Sequence, residues 1–362
     1  MLTICPTADY EIYLGRNLLP SEQVLFRPTT KLLAVWEEFA IRGTLFPDIC
    51  SIWRHRELGL MDYAAGCEAQ LRDAVERGHD LQLHLHPEWR SAVHESGQWT
   101  FRPGTSSLND LGFDANDPGG APALIRRGMS YLEDLVSPWI PEYRCTAFRA
   151  GGWVIQPEHA ILGALRDAGI RADATVIPGV RLLRKDYPVD FRSVPQCNFR
   201  LGSSTGLAAD SRDPADPVEV PIAAFRGALH PWHHGVNNIR LRRLRAHHPE
   251  PFRGYPIVKA GPRPGMAVRY ANLWKKLSVP RMLDIADTYE AMAATLRSYL
   301  SRHDFSRVDL AVCMNGHPKD TYDFHFDECR RFFDHVLSKH ATVVRFQALG
   351  AWVSAQSGAP QK

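Results

Sequence analysis

The sequence predicts an α/β fold in which helices cross over a mostly parallel sheet. Short apolar runs typical of β-strands alternate along the chain with segments whose apolar residues have helical spacing. This alternation favours a parallel sheet, either open or closed into a barrel. The 362 residues, 44% hydrophobic and 23% charged, suffice for a large core and exclude a disordered or collagen-like chain. In both sheet forms, functional side chains gather at the carboxyl ends of the strands.

The first half of the chain supplies most of the expected strands. The first of them begins almost at the first residue. The apolar residues of 61–77 form one stripe at helical spacing, and Gly78 ends that helix. The strands predicted in this half are 2–7, 44–52, 80–86, 144–148 and 172–177, and the helices are 31–41, 61–77, 123–136 and 158–168.

The last part of the chain continues the alternation. Apolar residues from Met282 to Leu300 recur at spacings of three and four, which predicts an amphipathic helix with this face in the core. A strand over 308–314, a helix over 326–337 and a strand over 342–346 follow. We therefore expect residues 1–362 to form a single catalytic domain.

Two segments interrupt this pattern. Residues 91–122 are polar, rich in Gly and Pro, and contain Trp99 and Phe101. A loop of this length inside a domain is usually functional, and we expect this one to cover a substrate. Residues 198–280 are expected to be an insertion at one edge of the core.

The charge of the chain is unevenly distributed. The formal net charge is only +3, yet residues 226–281 contain twelve Lys or Arg and one acid, Glu250. This basic stretch favours an anionic partner such as a phosphate or an anionic membrane surface, although a solvated, self-paired surface remains the alternative. No nucleic-acid-binding motif is recognised, so no nucleic acid partner is expected.

Compartment signals are few. Seven cysteines without any C-x-x-C pair are typical of a reduced protein. The N-terminal residues resemble no signal peptide, and no apolar run is long enough to span a bilayer. We expect a cytoplasmic protein, with membrane association left open.

The predicted strand 80–86 carries two histidines at its carboxyl end. Side chains alternate along a strand, so His84 and His86 share the polar face and the leucines take the other. Two imidazoles on one face are half of a metal site, and a hydrogen-bonded polar strand face is the alternative.

Two carboxylates follow the first strand. If that strand continues, Asp9 and Glu11 share a face, where one can bind a metal and the other can accept a proton. A local turn or helix cap is the alternative.

Two further groups lie at predicted strand tips. Arg149 can keep a carboxylate ionised and oriented, while the following Gly151 and Gly152 allow close backbone approach. Near the late strand, His317 precedes Pro318 and has the pKa range of a general acid.

In this order, the four groups resemble the motifs of the NodB-type polysaccharide deacetylases, carbohydrate esterase family 4. The resemblance covers about 1–180 and 282–350. It implies a distorted (β/α) barrel of about seven parallel strands, here with a basic insertion. It also implies site roles: Asp9 is the base, Glu11, His84 and His86 hold a metal, Arg149 holds the base, and His317 protonates the leaving amine.

The sequence departs from the family pattern at three places. Tyr10 replaces the second residue of the usual Asp-Asp pair, so Glu11 is expected to take the ligand role. The usual His-x-x-x-His is shortened to His84-x-His86, with Glu88 as a weaker substitute. The usual Arg-Pro-Pro-Tyr ends here in Trp153, which can replace an aromatic sugar platform.

The substrate contacts expected are Trp153, Trp99, Tyr10 and Asp173. Asp173 lies at the tip of the strand 172–177, where it can orient His317 or Arg149 or act as a local cap.

The resemblance implies a hydrolase that uses a divalent metal, most simply Zn²⁺, with Co²⁺ or Mn²⁺ as alternatives. Its expected reaction removes an N-acyl group, with acetyl foremost, from an amino sugar. In the cytoplasm that sugar would be nucleotide- or lipid-linked, as in O-antigen or capsule biosynthesis. Two alternatives are an allantoinase-like amidohydrolase acting on a small amide and a catalytically silent glycan-binding protein.

Overall fold

The computed structural model describes residues 1–14, 19–182, 189–225, 230–248, 266 and 280–357. Strands and helices alternate in this part of the chain, and most of the strand pairs are parallel. The helices are α1 (Arg27–Glu38), α2 (Ile49–Glu57), α3 (Met61–Glu76), α4 (Ala121–Val136), α5 (His159–Ala168), α6 (His230–His247), α7 (Tyr289–Leu300), α8 (Asp323–Lys339) and α9 (Leu349–Ser357).

The strands are mostly short. In chain order they are β1 (Leu2–Tyr10), β2 (Thr44–Pro47), β3 (Asp80–Leu81), β4 (Leu83–Leu85), β5 (Val93–Glu95), β6 (Gln98–Thr100), β7 (Ala147–Ala150), β8 (Ala172–Asp173), β9 (Arg181–Leu182), β10 (Val189–Asp190), β11 (Phe199–Arg200), β12 (Val218–Glu219), β13 (Leu310–Met314) and β14 (Val344–Phe346).

Strand β1 lies at the centre of the first sheet. All nine of its residues are buried, and it pairs in parallel with β13, β14 and β2. Strand β2 then pairs in parallel with β3. Because β1 is buried along its whole length, polar side chains on it must find their partners inside the protein.

The second sheet continues from the first. Strands β4, β7, β8 and β12 pair in parallel, and β11 adds an antiparallel edge. Two parallel bridges, Asp48 with His84 and Ile222 with Cys313, connect this sheet to β2 and β13. The carboxyl ends of β1, β4, β7 and β13 therefore lie close together.

The helices cover the sheets with their apolar faces. In α4, for example, Leu124, Ile125 and Leu132 are buried, as the spacing of apolar residues predicts. The end of α5 is fixed by Gly169, which adopts the left-handed conformation with φ of 94°.

Several predicted strands differ in extent: the strand expected over 144–148 is Ala147–Ala150, and the strand expected over 172–177 ends at Asp173. For two others the local cause is visible. The strand expected over 44–52 stops at Pro47, because Asp48 caps α2 by accepting the N–H of Ser51 at 3.4 Å. The strand expected over 80–86 is interrupted at Gln82. Its backbone N–H still donates to the carbonyl of Leu45 in β2 at 2.9 Å, while its side-chain oxygen accepts the N–H groups of Thr146 and Ala147, just before β7, at 2.9 and 2.7 Å.

The helix expected over 282–300 begins only at Tyr289. Before it, Leu283 and Ile285 are extended and donate their N–H groups to Ala223 and Asn315. Both residues are buried in either conformation, so their spacing alone could not distinguish them.

Described parts of the two interrupting segments form regular secondary structure. Residues 91–122 include the β5–β6 hairpin and the start of α4 at Ala121. Within the expected insertion 198–280, residues 230–247 form α6. Residues 226–229, 249–265 and 267–279 of the basic stretch lie outside the described residues. Of the helices in the described residues, none combines the length and the apolar character needed to cross a membrane.

Candidate metal centre

Three predicted ligands converge on one point at the carboxyl ends of β1 and β4. Glu11 Oε2 lies 2.5 Å from His86 Nε2 and 3.4 Å from His84 Nε2. All three side chains are buried, and their ligand atoms lie within 4.8 Å of one another. Strand alternation explains the arrangement, since His84 and His86 occupy the same face two residues apart.

Hydrogen bonds on the far side of each ring orient the two imidazoles. His84 Nδ1 lies 2.9 Å from the carbonyl oxygen of Arg149, and His86 Nδ1 lies 3.2 Å from Glu88 Oε1. With Nδ1 of each ring turned towards an acceptor outside the cluster, Nε2 is the nitrogen that faces Glu11, and a neutral ring can offer the lone pair of Nε2 to an ion. Glu88 is thus placed as an orienting carboxylate behind His86.

The donor set fits a divalent metal. His86 Nε2 is buried and, within the described residues, lacks a hydrogen-bond partner, although Glu11 Oε2 is 2.5 Å away. The separation of 2.5 Å brings the two ligand atoms close enough to be bound by one ion. Two imidazole nitrogens and one carboxylate oxygen are a ligand set that zinc-type ions accept. Glu11, His84 and His86 are the residues that could hold such an ion.

Asp9 lies beside this cluster and is held by Arg149. Arg149 Nη1 donates to Asp9 Oδ1 at 2.5 Å, while the rest of the guanidinium donates to Thr7 Oγ1 and the carbonyl of Ala174. Burial opposes ionisation of Asp9, but Arg149 and His84 outweigh it and hold the pKa of Asp9 well below its usual value. Asp9 is therefore a carboxylate at neutral pH.

His317 faces both carboxylates. Its Nε2 lies 3.3 Å from Asp9 Oδ2 and 3.4 Å from Glu11 Oε1. Burial would lower the pKa of His317, but the hydrogen bond and charge of Asp9 raise it above its usual value. The N–H of Asp9 donates to the carbonyl of Gly316 at 2.8 Å, which joins the first motif to the last.

One charged residue of the site was missed by the sequence analysis. Lys319 Nζ donates to Glu11 Oε1 at 2.7 Å and is buried. Burial opposes ionisation of Glu11, but Lys319 and then His86 lower its pKa well below the usual value. The signal in the sequence was a lysine two residues after the predicted acid His317, in a segment that follows a buried strand.

Of the four expected substrate contacts, only Trp153 lies near the cluster. Its half-buried ring is 6.2 Å from the ring of His317, centroid to centroid, with the planes nearly perpendicular. Tyr10 points to the opposite side of β1, as alternation requires, and its hydroxyl donates to Gln70 at 2.9 Å. Tyr10 is therefore a core residue, and its expected substrate contact does not fit this position.

Asp173 is also placed away from substrate. It is fully buried and accepts from the hydroxyl and N–H of Thr175. Burial raises the pKa of Asp173, and burial together with the neighbouring Asp173 raises the pKa of Glu219 well above its usual value. The local role weighed for Asp173 in the sequence fits this position, and direct contact with substrate does not.

Trp99 belongs to an aromatic cluster in the β5–β6 hairpin. Its ring packs against His55, His94 and Trp89 at centroid distances of 4.6 to 4.9 Å, and only 8% of it is exposed. It also lines a cavity of about 220 Å³ that reaches Tyr13. Trp99 therefore packs within the hairpin and borders the cavity that Ile12 and Tyr13, the two residues after Glu11, also line. Its contact with a substrate remains a prediction.

Comparisons with known proteins give distant likenesses. No protein-family model and no curated protein matches the chain. Among solved structures, one similar chain is assigned as a polysaccharide deacetylase from Mycobacterium smegmatis, with 16% identity and a TM-score of 0.42 over 92% of this chain and 79% of that one. Puue allantoinase has 9% identity and a TM-score of 0.46, over 100% of this chain and 92% of that one.

A third similar structure is a 4-alpha-glucanotransferase from Thermococcus litoralis. It has 12% identity and a TM-score of 0.48 over 98% of this chain, which spans only 40% of the enzyme's length. At these identities and scores, the function has to be inferred from the site of this chain itself.

Proposed function

We propose that this protein is a metal-dependent hydrolase that removes an N-acyl group, with acetyl foremost, from an amino sugar. The proposal rests on one observation: a set of possible metal ligands lies next to a possible base and acid. Glu11, His84 and His86 form a ligand set, and Asp9 and His317 lie beside it as a carboxylate and an imidazole. A ligand set with an adjacent base and acid is what amide hydrolysis requires.

The metal, most simply Zn²⁺ with Co²⁺ or Mn²⁺ as alternatives, supplies Lewis acidity and lowers the pKa of a water molecule when it is bound. Asp9 accepts the proton of the attacking water, because Arg149 keeps it ionised and leaves its Oδ2 free of the guanidinium. Arg149 is itself fixed by four buried partners or contacts, including the face of the Phe46 ring at 4.3 Å.

His317 then donates a proton from Nε2 to the departing amine nitrogen. Its pKa, raised by Asp9, keeps the imidazole protonated to a higher pH than that of a free histidine. Trp153, whose ring lies at right angles to that of His317, is placed to contact the sugar ring of the substrate.

The two linked sheets support a proposal for the architecture. We infer that they form the distorted barrel that the resemblance implies, because the bridges Asp48–His84 and Ile222–Cys313 join the sheets at both edges. On this interpretation the chain is a single catalytic domain. Within the expected insertion 198–280, β12 and Ile222 belong to the barrel wall, so an insertion can begin only after them.

The decisive experiment is acetate release from a panel of UDP-linked and lipid-linked N-acetyl sugars, with Zn²⁺, Co²⁺ and Mn²⁺ compared. We expect turnover of at least one acetamido sugar, in line with a role in cytoplasmic surface-glycan synthesis. Turnover of small cyclic or linear amides alone would select the allantoinase-like alternative. Sugar binding without turnover with any metal would select the silent glycan-binding protein.

A variant pair tests the assigned acid. His317→Ala should keep the bound metal and lower kcat by about 10²- to 10⁴-fold, the usual contribution of a general acid. His247→Ala, which changes an exposed histidine of α6, should leave kcat unchanged. Equal kcat for both variants would remove His317 from the mechanism.

We further propose that α6 binds an anionic membrane surface, which fits a lipid-linked substrate. Its outer face exposes Trp232 (74%) and Ile239 (54%) beside Arg242 and Arg243, which form no ion pair with any described residue. Exposed aromatic and aliphatic side chains next to arginines suit the headgroup region of a bilayer better than a free phosphate.

Vesicle sedimentation tests this second proposal. The protein should sediment with phosphatidylglycerol vesicles and much less with phosphatidylcholine vesicles. The double variant Arg242→Gln/Arg243→Gln should lose this binding. A matched variant with the same charge change, Arg144→Gln/Lys339→Gln, should keep it, because those exposed residues lie outside α6. Equal sedimentation of the two double variants would refute the assignment.

A further inference from the structure

Lys319 is a buried cation in direct contact with a proposed metal ligand. It lies in the short helical turn Pro318–Asp320, which follows β13, and only 9% of it is exposed. Its backbone is fixed as well, because the hydroxyl of Tyr13 donates to the carbonyl of Lys319 at 2.7 Å. The ammonium lies 5.3 Å from the centroid of the Tyr13 ring and 3.3 Å from the carbonyl oxygen of Ile12.

The two oxygens of Glu11 have different neighbours. Oε1 accepts from Lys319 Nζ at 2.7 Å and lies 3.4 Å from His317. Oε2 lies against both imidazole nitrogens, at 2.5 and 3.4 Å. The carboxylate is thus held with one oxygen on a fixed cation and the other towards the ligand cluster.

Asp9 is held in the same way. Its Oδ1 accepts from Arg149 at 2.5 Å, and its Oδ2 faces His317 at 3.3 Å. Each carboxylate of the site therefore has one oxygen occupied by a permanent cation. Asp9 and Glu11 therefore have different cationic partners, although they lie only two residues apart and their side chains share a face.

We propose that Lys319 is a positioning residue that holds Oε1 of Glu11, so that only Oε2 is available to a metal. The proposal rests on the metal site proposed above. A carboxylate can bind a metal through one oxygen or through both, and the second oxygen would occupy a place needed by water or by the substrate carbonyl. By occupying Oε1, Lys319 leaves that place open.

The test compares Co²⁺-loaded wild type with Lys319→Met, which keeps an unbranched side chain, one atom shorter, but removes the donor and the charge. We expect the visible absorption bands of bound Co²⁺ to weaken in the variant, because these bands lose intensity as ligands are added. We also expect kcat to fall by about 10- to 100-fold, the usual cost of losing a partner of a metal ligand, with less change in KM.

Lys319→Arg provides the conservative rescue. Its guanidinium can still donate to Oε1, so the Co²⁺ spectrum should remain close to that of the wild type. Lys31→Met is the matched control, because Lys31 forms an exposed ion pair with Asp323 at 2.5 Å, away from the site. It should change neither the spectrum nor kcat.

Failure of the metal site and failure of this inference give different results. Absence of Co²⁺ binding in the wild type would refute the metal site itself. Normal binding in the wild type, with an identical spectrum and kcat in Lys319→Met, would refute the role of Lys319. If Lys319→Met does not fold by circular dichroism, Lys319→Ala removes the same donor with less bulk, and the same criteria apply.

Discussion

The close contact between Gly151 and His86 allows the metal cluster to be disturbed without altering any ligand. A Cβ added to Gly151 would lie 2.5 Å from the carbonyl oxygen of Leu85 and 2.8 Å from Cγ and Nδ1 of His86. Real Cβ atoms essentially never approach closer than 3.0 Å, so Gly151→Ala must push the end of β4 away by about 0.5 Å or more. The displaced atoms are a backbone carbonyl and an imidazole ring, neither of which is a flexible side-chain end.

This displacement is large on the scale that the site tolerates. Functional groups must stay within about 0.5 Å of their working geometry. We therefore expect Gly151→Ala to bind Zn²⁺ about 10- to 100-fold more weakly, a loss of about 1.4 to 2.7 kcal/mol. Competition against a chromophoric chelator measures the affinity, and circular dichroism checks the fold.

Gly163→Ala is the matched control. A Cβ there would lie 3.7 Å from the Cβ of Ser203, an ordinary contact, in the interior of α5. It should stabilise the protein by about 0.5 to 1 kcal/mol and leave the metal affinity unchanged. Wild-type affinity in Gly151→Ala would refute the conclusion that the close approach of Gly151 positions the His86 ring.

Three further predictions concern buried charges. The pKa of Glu219 is raised by burial and by Asp173, so its stabilising contribution is complete below the unfolded pKa of about 4.3 and is lost as pH rises towards the folded pKa. Urea unfolding should therefore show wild type losing stability relative to Glu219→Gln between pH 5 and pH 8, and a constant difference would contradict the raised pKa. Glu88→Gln should lower Zn²⁺ affinity about tenfold in chelator competition, because Nδ1 of His86 loses its charged acceptor. Unchanged affinity would show that Glu88 does not influence metal binding by His86. Arg149→Met should lower the free energy of unfolding by about 3 to 5 kcal/mol in urea titration, since Asp9 is left buried without its cation; a loss below about 1 kcal/mol would show that Asp9 finds another partner.

Strand alternation explains why much of the site could be predicted from sequence. Asp9 near the end of β1 and Glu11 just after it share a face, as do His84 in β4 and His86 just after it, because side chains repeat every two residues. That rule is local, so it needs no knowledge of distant contacts. Their meeting at one point depended on the expectation that parallel strands carry function at their carboxyl ends.

The residues that could not be predicted are those whose role is set by distant packing. Lys319 acquires its role only because Glu11, 308 residues earlier, lies beside it. Tyr10 and Trp99 were assigned to substrate because aromatic residues near motifs often bind sugars. Their burial in the core and in the hairpin cluster follows from tertiary contacts that no local pattern encodes.

The predicted element boundaries are wrong where buried apolar residues occur in both of two consecutive elements. Ile49 and Ile52 are buried in α2 and are separated from the buried strand β2 by Asp48 alone. The Asp48 cap was the local signal for the change, and a cap outweighs a short apolar run when the two disagree.

The pairing of β1 also bears on how the chain acquires its structure. Leu2 pairs with Leu310 and with Val344, so β1 can pair with these two strands only after the residues between them have been synthesised. Until then this apolar strand is unpaired in the nascent chain, and unpaired strand edges favour aggregation with other chains. Contacts this far apart in sequence also slow refolding. The yield of refolded protein after dilution from denaturant should accordingly be highest at low protein concentration, or with a chaperone that binds β1 before it pairs.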